Sequence, residues 1–257
     1  MFRPDLVHLR YLCCRTIYYH LTYYKRQSKF FHSKPQEILM NKLIELNEKS
    51  RLQAISLAVR LIANGCVIAL PTDTVYGLAT DVHNSSAISK LYNVKGRDPS
   101  KPIAICTHNV NDIGNWGKTD HLPYGLLDAI LPGPVTVVLD RTEILNSDLN
   151  PGETKVAIRV PDSGFICDIV SYHKKPITLT SANESNKTST LKPEEFSTLW
   201  PKIDAIFDGG PIGSSSLSRL GSTIVDLSTP NHFSILRDGS ALLPTVHVLN
   251  SFGLRHL

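Results

Sequence analysis

The amino-acid sequence predicts an α/β fold, a mixed open sheet with helices on its faces. Short apolar runs of strand character recur along the chain, most of them separated by helical patterns or by Gly and Pro breaks. Polar residues that a core would reject gather where those runs end, which places a site along one rim of the sheet.

After Ser50, Leu52, Ile55, Val59 and Ile62 repeat at helical spacing and Asn64-Gly65 supplies a stop, so a helix opens the domain. Cys66 to Leu70 is an apolar run ended by Pro71 and reads as a buried strand feeding the loop Pro71-Thr72-Asp73-Thr74. A second helix runs from about Ser86, a candidate N-cap, through Ile88 and Leu91 to the turn Lys95-Gly96-Arg97. Further strands are expected at Ile103 to Cys106, Val135 to Leu139, Val156 to Val160, Ile177 to Thr180, Ala205 to Phe207 and Thr223 to Leu227. The stretch from Ser181 to Thr190 has no apolar side chain except Ala182 and reads as a mobile loop. From Leu242 no pattern is legible. The domain is therefore set at residues 46–240, between a leader, 1–45, and a C-terminal tail, 241–257.

With 257 residues and 42% hydrophobic side chains the chain can bury a full core. Its five cysteines form no C-x-x-C pair and no two histidines stand at zinc-ligand spacing. That leaves a disulfide framework and a metal site without support and points to an intracellular, reduced protein. No stretch reaches the roughly 18 continuous apolar residues of a membrane span, so no stable membrane insertion is expected.

The formal charge of +4 invites a nucleic-acid reading, but the excess sits in the leader. Residues 1–36 hold Arg3, Arg10, Arg15, Lys25, Arg26, Lys29 and Lys34 against Asp5 alone; removing these from totals of 27 basic and 23 acidic residues leaves 20 and 22, a body of about −2. Spaced arginines without acids suit a mitochondrial transit peptide, although the tyrosines Tyr11, Tyr18, Tyr19, Tyr23 and Tyr24 are not its usual composition. A disordered extension or a membrane-surface or RNA-touching arm are the alternatives. Met40 offers an internal start for a cytosolic form, so cytoplasmic and mitochondrial localisation are both expected.

Two signals carry no function. Gly114-Asn115-Trp116-Gly117-Lys118-Thr119 approaches a phosphate-binding loop, but Asp112 stands where that motif needs its first glycine. Asn84, Asn183 and Asn186 match a glycosylation acceptor pattern that has meaning only in a secreted chain.

Six stretches combine strand-end placement with unusual polarity: Pro71 to Gly77, Lys95-Gly96-Arg97 with Lys101-Pro102, Pro132 to Thr136, Arg159-Val160-Pro161, Thr180 to Asn183, and Gly221-Ser222-Thr223 with Arg237. Lys95, Arg97, Lys101, Arg159 and Arg237 offer cations, and Thr74, Ser181, Ser189 and Ser222 offer hydroxyls. Such a set suits a ligand bearing phosphates and a carboxylate, because Arg grips planar oxyanions with two prongs and Lys acts as a point charge. Arg159 lies between Ile158 and Val160 in an alternating strand, so it points away from them and needs an anionic partner. Taken singly, each cation reads more readily as a scattered surface charge than as a ligand contact.

In order, these stretches resemble the motifs of the YrdC-like threonylcarbamoyl-adenylate synthase family from about Leu52 to Gly239: P-T-[DE]-T-x-Y-G-L, K-x-R, P-G-P-x-T, R-x-P, S-x-N, S-T-[IV]-x-D and L-R-x-G. The resemblance implies a twisted α/β fold with a concave, positively lined cleft at the strand ends. It implies ATP contacts from Arg97, Lys101, Ser181, Ser189 and Arg237, with Lys95 and Asn183 completing a catalytic set of Lys95, Arg97, Ser181 and Asn183. Thr74, Arg159, Leu179 through its backbone, and Ser222 would surround L-threonine. One departure is Cys106, where bacterial and archaeal members often carry His, which puts a threonine contact there in question. No resident metal is implied, and Mg2+ would be carried in with ATP. The implied reaction joins L-threonine, bicarbonate and ATP into threonylcarbamoyl-AMP and pyrophosphate. A downstream tRNA threonylcarbamoyl transferase would consume the product, and the near-neutral body argues against direct tRNA binding by this chain. The competing reading is a double-stranded RNA-binding module, which a basic cleft would also fit.

Overall fold

The structure, a computed structural model, describes residues 42–96, 102–213 and 216–257. Most of the predicted leader, together with Arg97 and Lys101, lies outside these residues. Lys42–Leu257 forms one compact unit.

β1 (Leu43–Glu45) leads to α1 (Arg51–Ala63), then to β2 (Ile68–Pro71) and β3 (Tyr76–Ala79). α2 (Ser85–Lys95) and β4 (Ala104–Cys106) follow, then the short helices α3 (Ile113–Trp116) and α4 (Leu126–Ile130). β5 (Val135–Asp140), β6 (Lys155–Arg159), α5 (Gly164–His173) and β7 (Ile177–Ser181) complete the central part. A kinked 3-10 segment, Pro193–Lys202, leads to β8 (Ala205–Asp208), β9 (Thr223–Asp226) and β10 (His232–Arg237), and α6 (Leu242–Ser251) and β11 (Arg255–His256) end the chain.

The strands form one open sheet in the order β1-β8-β2-β3-β7-β4-β6-β5-β9-β10-β11. Both parallel and antiparallel neighbours occur along it, with three consecutive antiparallel pairs from β2 to β4, so the sheet is mixed, as expected. Period-two alternation divides the core between the faces. Ile68 and Leu70 pack with α1 and α5, whereas Val67 and Ala69 join the cluster shared with α2, the 3-10 segment and α6.

Several local expectations shift. The buried stripe of α1 is Ala54, Ile55, Ala58 and Ile62, while Leu52 is exposed, because the small alanines let α1 lie close on α5. The cap of α2 lies two residues earlier than expected: it is Asn84, whose Oδ1 accepts the Ala87 N–H at 3.0 Å, rather than Ser86. Pro71 to Thr74 turns the chain into a second strand, β3, a hairpin partner of β2 that the Gly-containing Tyr76-Gly77-Leu78-Ala79 hid. Leu43–Glu45, at the end of the predicted leader, pairs with β8 as an edge strand.

The illegible C-terminal tail is part of the body. α6 and the turn after it bury Leu249 and Leu254 in the main core, and Thr245 is also buried. Leu249→Ala should lower stability by about 2–5 kcal/mol, the usual cost of a large-to-small core change. Urea denaturation checks this; an unchanged midpoint would return residues 241–257 to the status of a tail.

Candidate active site

Register gathers the predicted residues on one face. Ser181 pairs with Gly77 across β7 and β3, Leu179 with Ala104, Cys106 with Arg159, Arg159 with Thr136, Thr136 with Ile224, and Ile224 with Arg237. Residues opposite one another, and residues two apart, share a face, so Ser181, Leu179, Arg159, Thr136 and Arg237 all look the same way. This is the face that α1 and α5 cover, but only in part: their apolar cluster draws on β2, β3, β4, β7 and β8 and includes no residue of β5, β6, β9 or β10. On the half that this cluster leaves uncovered stand Arg159, Thr136 and Arg237.

The loop after β2 closes one side of this half. Thr72 Oγ1 accepts the N–H groups of Thr74 and Val75 at 3.1 and 3.2 Å and donates to the Val75 carbonyl at 2.8 Å, which folds the loop tightly and buries Thr74. Gly77 lets the Leu179 side chain of β7 pack close beside it: a Cβ there would stand 2.7 Å from Leu179 Cδ1 and in ordinary contact, 3.6 Å, with Thr72 Cγ2. Asp73 thereby reaches Arg159, and Arg159 Nη2 donates to Asp73 Oδ1 at 2.5 Å with the two side chains only 7% and 9% exposed. The sequence reading asked for an anion at Arg159 and overlooked that Asp73, in the loop it had already singled out, supplies one.

Arg237 forms the opposite wall. Its Nε and Nη2 donate to the Ser222 carbonyl at 3.1 and 2.7 Å, and Nη2 also donates to Ser222 Oγ at 3.0 Å. Ser222 Oγ lies 2.7 Å from Thr136 Oγ1, a second residue that was not assigned from sequence, although it belongs to the Pro132 to Thr136 stretch. Arg237 is exposed as a residue, yet partial burial of the guanidinium, and after it repulsion from Arg159, lowers its proton affinity. Two guanidiniums that repel one another across a cleft, with Asp73 as the nearby counter-charge, leave the site one negative charge short.

Lys95 has a different place from the one expected of a phosphate cation. Its side chain is buried, and Nζ donates to the carbonyls of Ser181 and Asn183 at 2.7 Å each and reaches Asn183 Oδ1 at 3.3 Å. Lys95 thus ties the K-x-R and S-x-N motifs together and fixes the turn after β7. Asn183 Nδ2 donates to the carbonyls of Glu184 and Lys187 at 2.9 and 2.5 Å.

The Ser181 to Thr190 stretch is tied at both ends. Tyr76 brackets it, accepting from Ala182 N at 2.7 Å and donating its N–H to the Thr190 carbonyl at 2.9 Å. Arg219 donates to the Ser189 carbonyl at 2.8 Å and grips Glu195, whose carboxyl it holds down to about 2. Only Asn186 to Thr188 stand fully exposed within the stretch, and Ser189 is half-buried. Cys106 is fully buried at the edge of the α1 and α5 cluster, and burial pushes its thiol well above the ordinary range, so it stays neutral beside the ion pair.

Fold and face together define a mixed α/β protein that carries two arginines, Arg159 and Arg237, on one partly covered face of its sheet. The family model for Sua5, YciO and YrdC, described as telomere recombination, matches residues 60–239, and the chain belongs to that family. It is 47% identical over 204 residues to the threonylcarbamoyl-AMP synthase of Bos taurus, covering 79% of this chain and 74% of that one. It is 45% identical over 205 residues to the threonylcarbamoyl-AMP synthase of Homo sapiens, covering 79% and 73%. The crystal structure of P. abyssi Sua5 complexed with L-threonine superposes with a TM-score of 0.70 at 26% identity; the match covers 84% of this chain and 62% of that one, so this chain spans less than two thirds of that structure.

Gly239 sets the Arg237 wall by close approach. A Cβ there would fall 2.1 Å from Thr223 N and 2.2 Å from Ser222 C, both backbone atoms that have nowhere to yield. Gly239→Ala should therefore displace Ser222, cost about 1–3 kcal/mol or more of stability, and reduce turnover per folded molecule. Denaturation and activity measured on the same preparation check both; wild-type values would mean that the Ser222 and Arg237 geometry tolerates movement.

Proposed function

We propose that this chain is an L-threonylcarbamoyladenylate synthase, a nucleotidyltransferase that makes threonylcarbamoyl-AMP and pyrophosphate from L-threonine, bicarbonate and ATP for threonylcarbamoyladenosine modification of tRNA. The observation that carries the reading is the pair of guanidiniums, Arg159 and Arg237, facing one cleft under the Asp73 loop. Family membership and the L-threonine complex of a relative support the same choice of substrates.

The chemistry asks two anions to meet. The threonine amine and bicarbonate give a carbamate and water; a carbamate oxygen then attacks the α-phosphate of ATP and the bond to pyrophosphate breaks. Neither step needs a nucleophile from the chain, so its task is to neutralise and align. In this reading Thr74, Arg159, the Leu179 backbone and Ser222 hold threonine. Ser181, Ser189 and Arg237 hold ATP, joined by Arg97 and Lys101. Lys95 and Asn183 act through the turn they shape, keeping Ser181 in place. Mg2+ enters as the counter-ion of ATP and belongs to the substrate. A tRNA threonylcarbamoyl transferase takes the product, and the basic leader and Met40 supply mitochondrial and cytoplasmic forms.

A double-stranded RNA-binding role is disfavoured by the near-neutral body, because backbone binding draws on many cations. Pyrophosphate release that requires both threonine and bicarbonate is the expected result; release without either one would contradict the reading. Arg159→Ala should raise the KM for threonine by about tenfold or more, as loss of a charged hydrogen bond does, and change that for ATP far less. Equal effects on both substrates would remove Arg159 from the threonine subsite.

A further inference from the structure

The Asp73–Arg159 pair is incomplete on both sides. Oδ1 of Asp73 takes the bond from Arg159, while Asp73 Oδ2 and Arg159 Nε are buried with no hydrogen-bond partner among the described residues. Each such orphan has given up its hydrogen bonds to water with nothing in return. Both belong to one ion pair, so bond geometry keeps them a few ångströms apart.

A ligand that completes the pair must bring a donor for Asp73 and an acceptor for Arg159 at short spacing. It must also bring the negative charge that Arg159 and Arg237 together lack. A plain oxyanion meets the second demand and fails the first, since its oxygens would face the Asp73 carboxylate. The zwitterion of an α-amino acid meets both, because its carboxylate and amino group are bonded to the same carbon.

We infer that Asp73 receives the amino group of the threonine substrate while Arg159 receives its carboxylate, which makes Asp73 the residue that selects an amino acid over other small carboxylates. The inference rests on the threonine reading above. It gives the amine a fixed position from which to meet bicarbonate. It also explains why an acidic residue stands among the threonines of the loop.

Calorimetric titration of the full chain with L-threonine and with 2,3-dihydroxybutanoate, the same skeleton with hydroxyl in place of the amine, tests it. Wild type is expected to prefer threonine by about tenfold or more, the worth of a charged hydrogen bond. In Asp73→Asn threonine should weaken by a similar factor while the hydroxy acid changes little, so the preference collapses. Asp73→Glu keeps the charge in case the amide variant folds poorly, and should retain part of the preference. Equal losses for both ligands would assign Asp73 to holding Arg159 alone and overturn the inference, as would wild type binding the two alike. Loss of threonine-dependent pyrophosphate release in wild type would instead overturn the reaction itself.

Discussion

The buried ion pair between Asp73 and Arg159 is the constraint around which the site is arranged. A guanidinium taken out of water is tolerated only with a partner at good geometry. Here the partner comes from the loop between β2 and β3, and β3 lies three strands from β6 in the sheet order, so the Pro71 to Val75 turn must fold back over the sheet. Thr72 supplies the hydrogen bonds for that fold, and Gly77 lets Leu179 pack close beside the start of β3. One pair thus couples loop shape, strand spacing and the charge of the cleft.

The rest of the site reads as a response to surplus positive charge. Arg237 is steadied by the Ser222 carbonyl and hydroxyl, neither of which neutralises it, so the field of two guanidiniums stays directed into the cleft. Lys95, by contrast, spends its charge on backbone carbonyls and contributes rigidity. Cations near one another therefore do separate work: some face the cleft, and Lys95 holds the frame. Such a division suits a reaction between anions, in which preorganised charge lowers the barrier without a reacting side chain.

Much of this was legible in the sequence, and the limits are physical. Alternating apolar runs gave most sheet strands because period two survives wherever one face is buried. Tyr76 to Ala79 escaped because it is buried on both faces and contains glycine, and Leu242 to Ser251 because Pro244 and the β-branched Thr245, Val246 and Val248 obscure a helix that tertiary packing imposes. Cation positions could be read from order along the chain, and their partners could not. Arg159 and Asp73 are 86 positions apart, Lys95 and Asn183 are 88 apart, and only the strand register brings them together. In the stretch from Ser181 to Thr190 the ends are held largely through backbone groups, which polarity along the chain does not show, while Asn186 to Thr188 stay exposed.

The account as a whole turns on what the cleft makes. Mass spectrometry of a reaction containing ATP, L-threonine and 13C-bicarbonate examines this directly. The predicted result is threonylcarbamoyl-AMP carrying the label in its carbamoyl carbon, formed with pyrophosphate and absent when any one substrate is withheld. An unlabelled threonine adenylate, or nucleotide hydrolysis with no adduct, would contradict it.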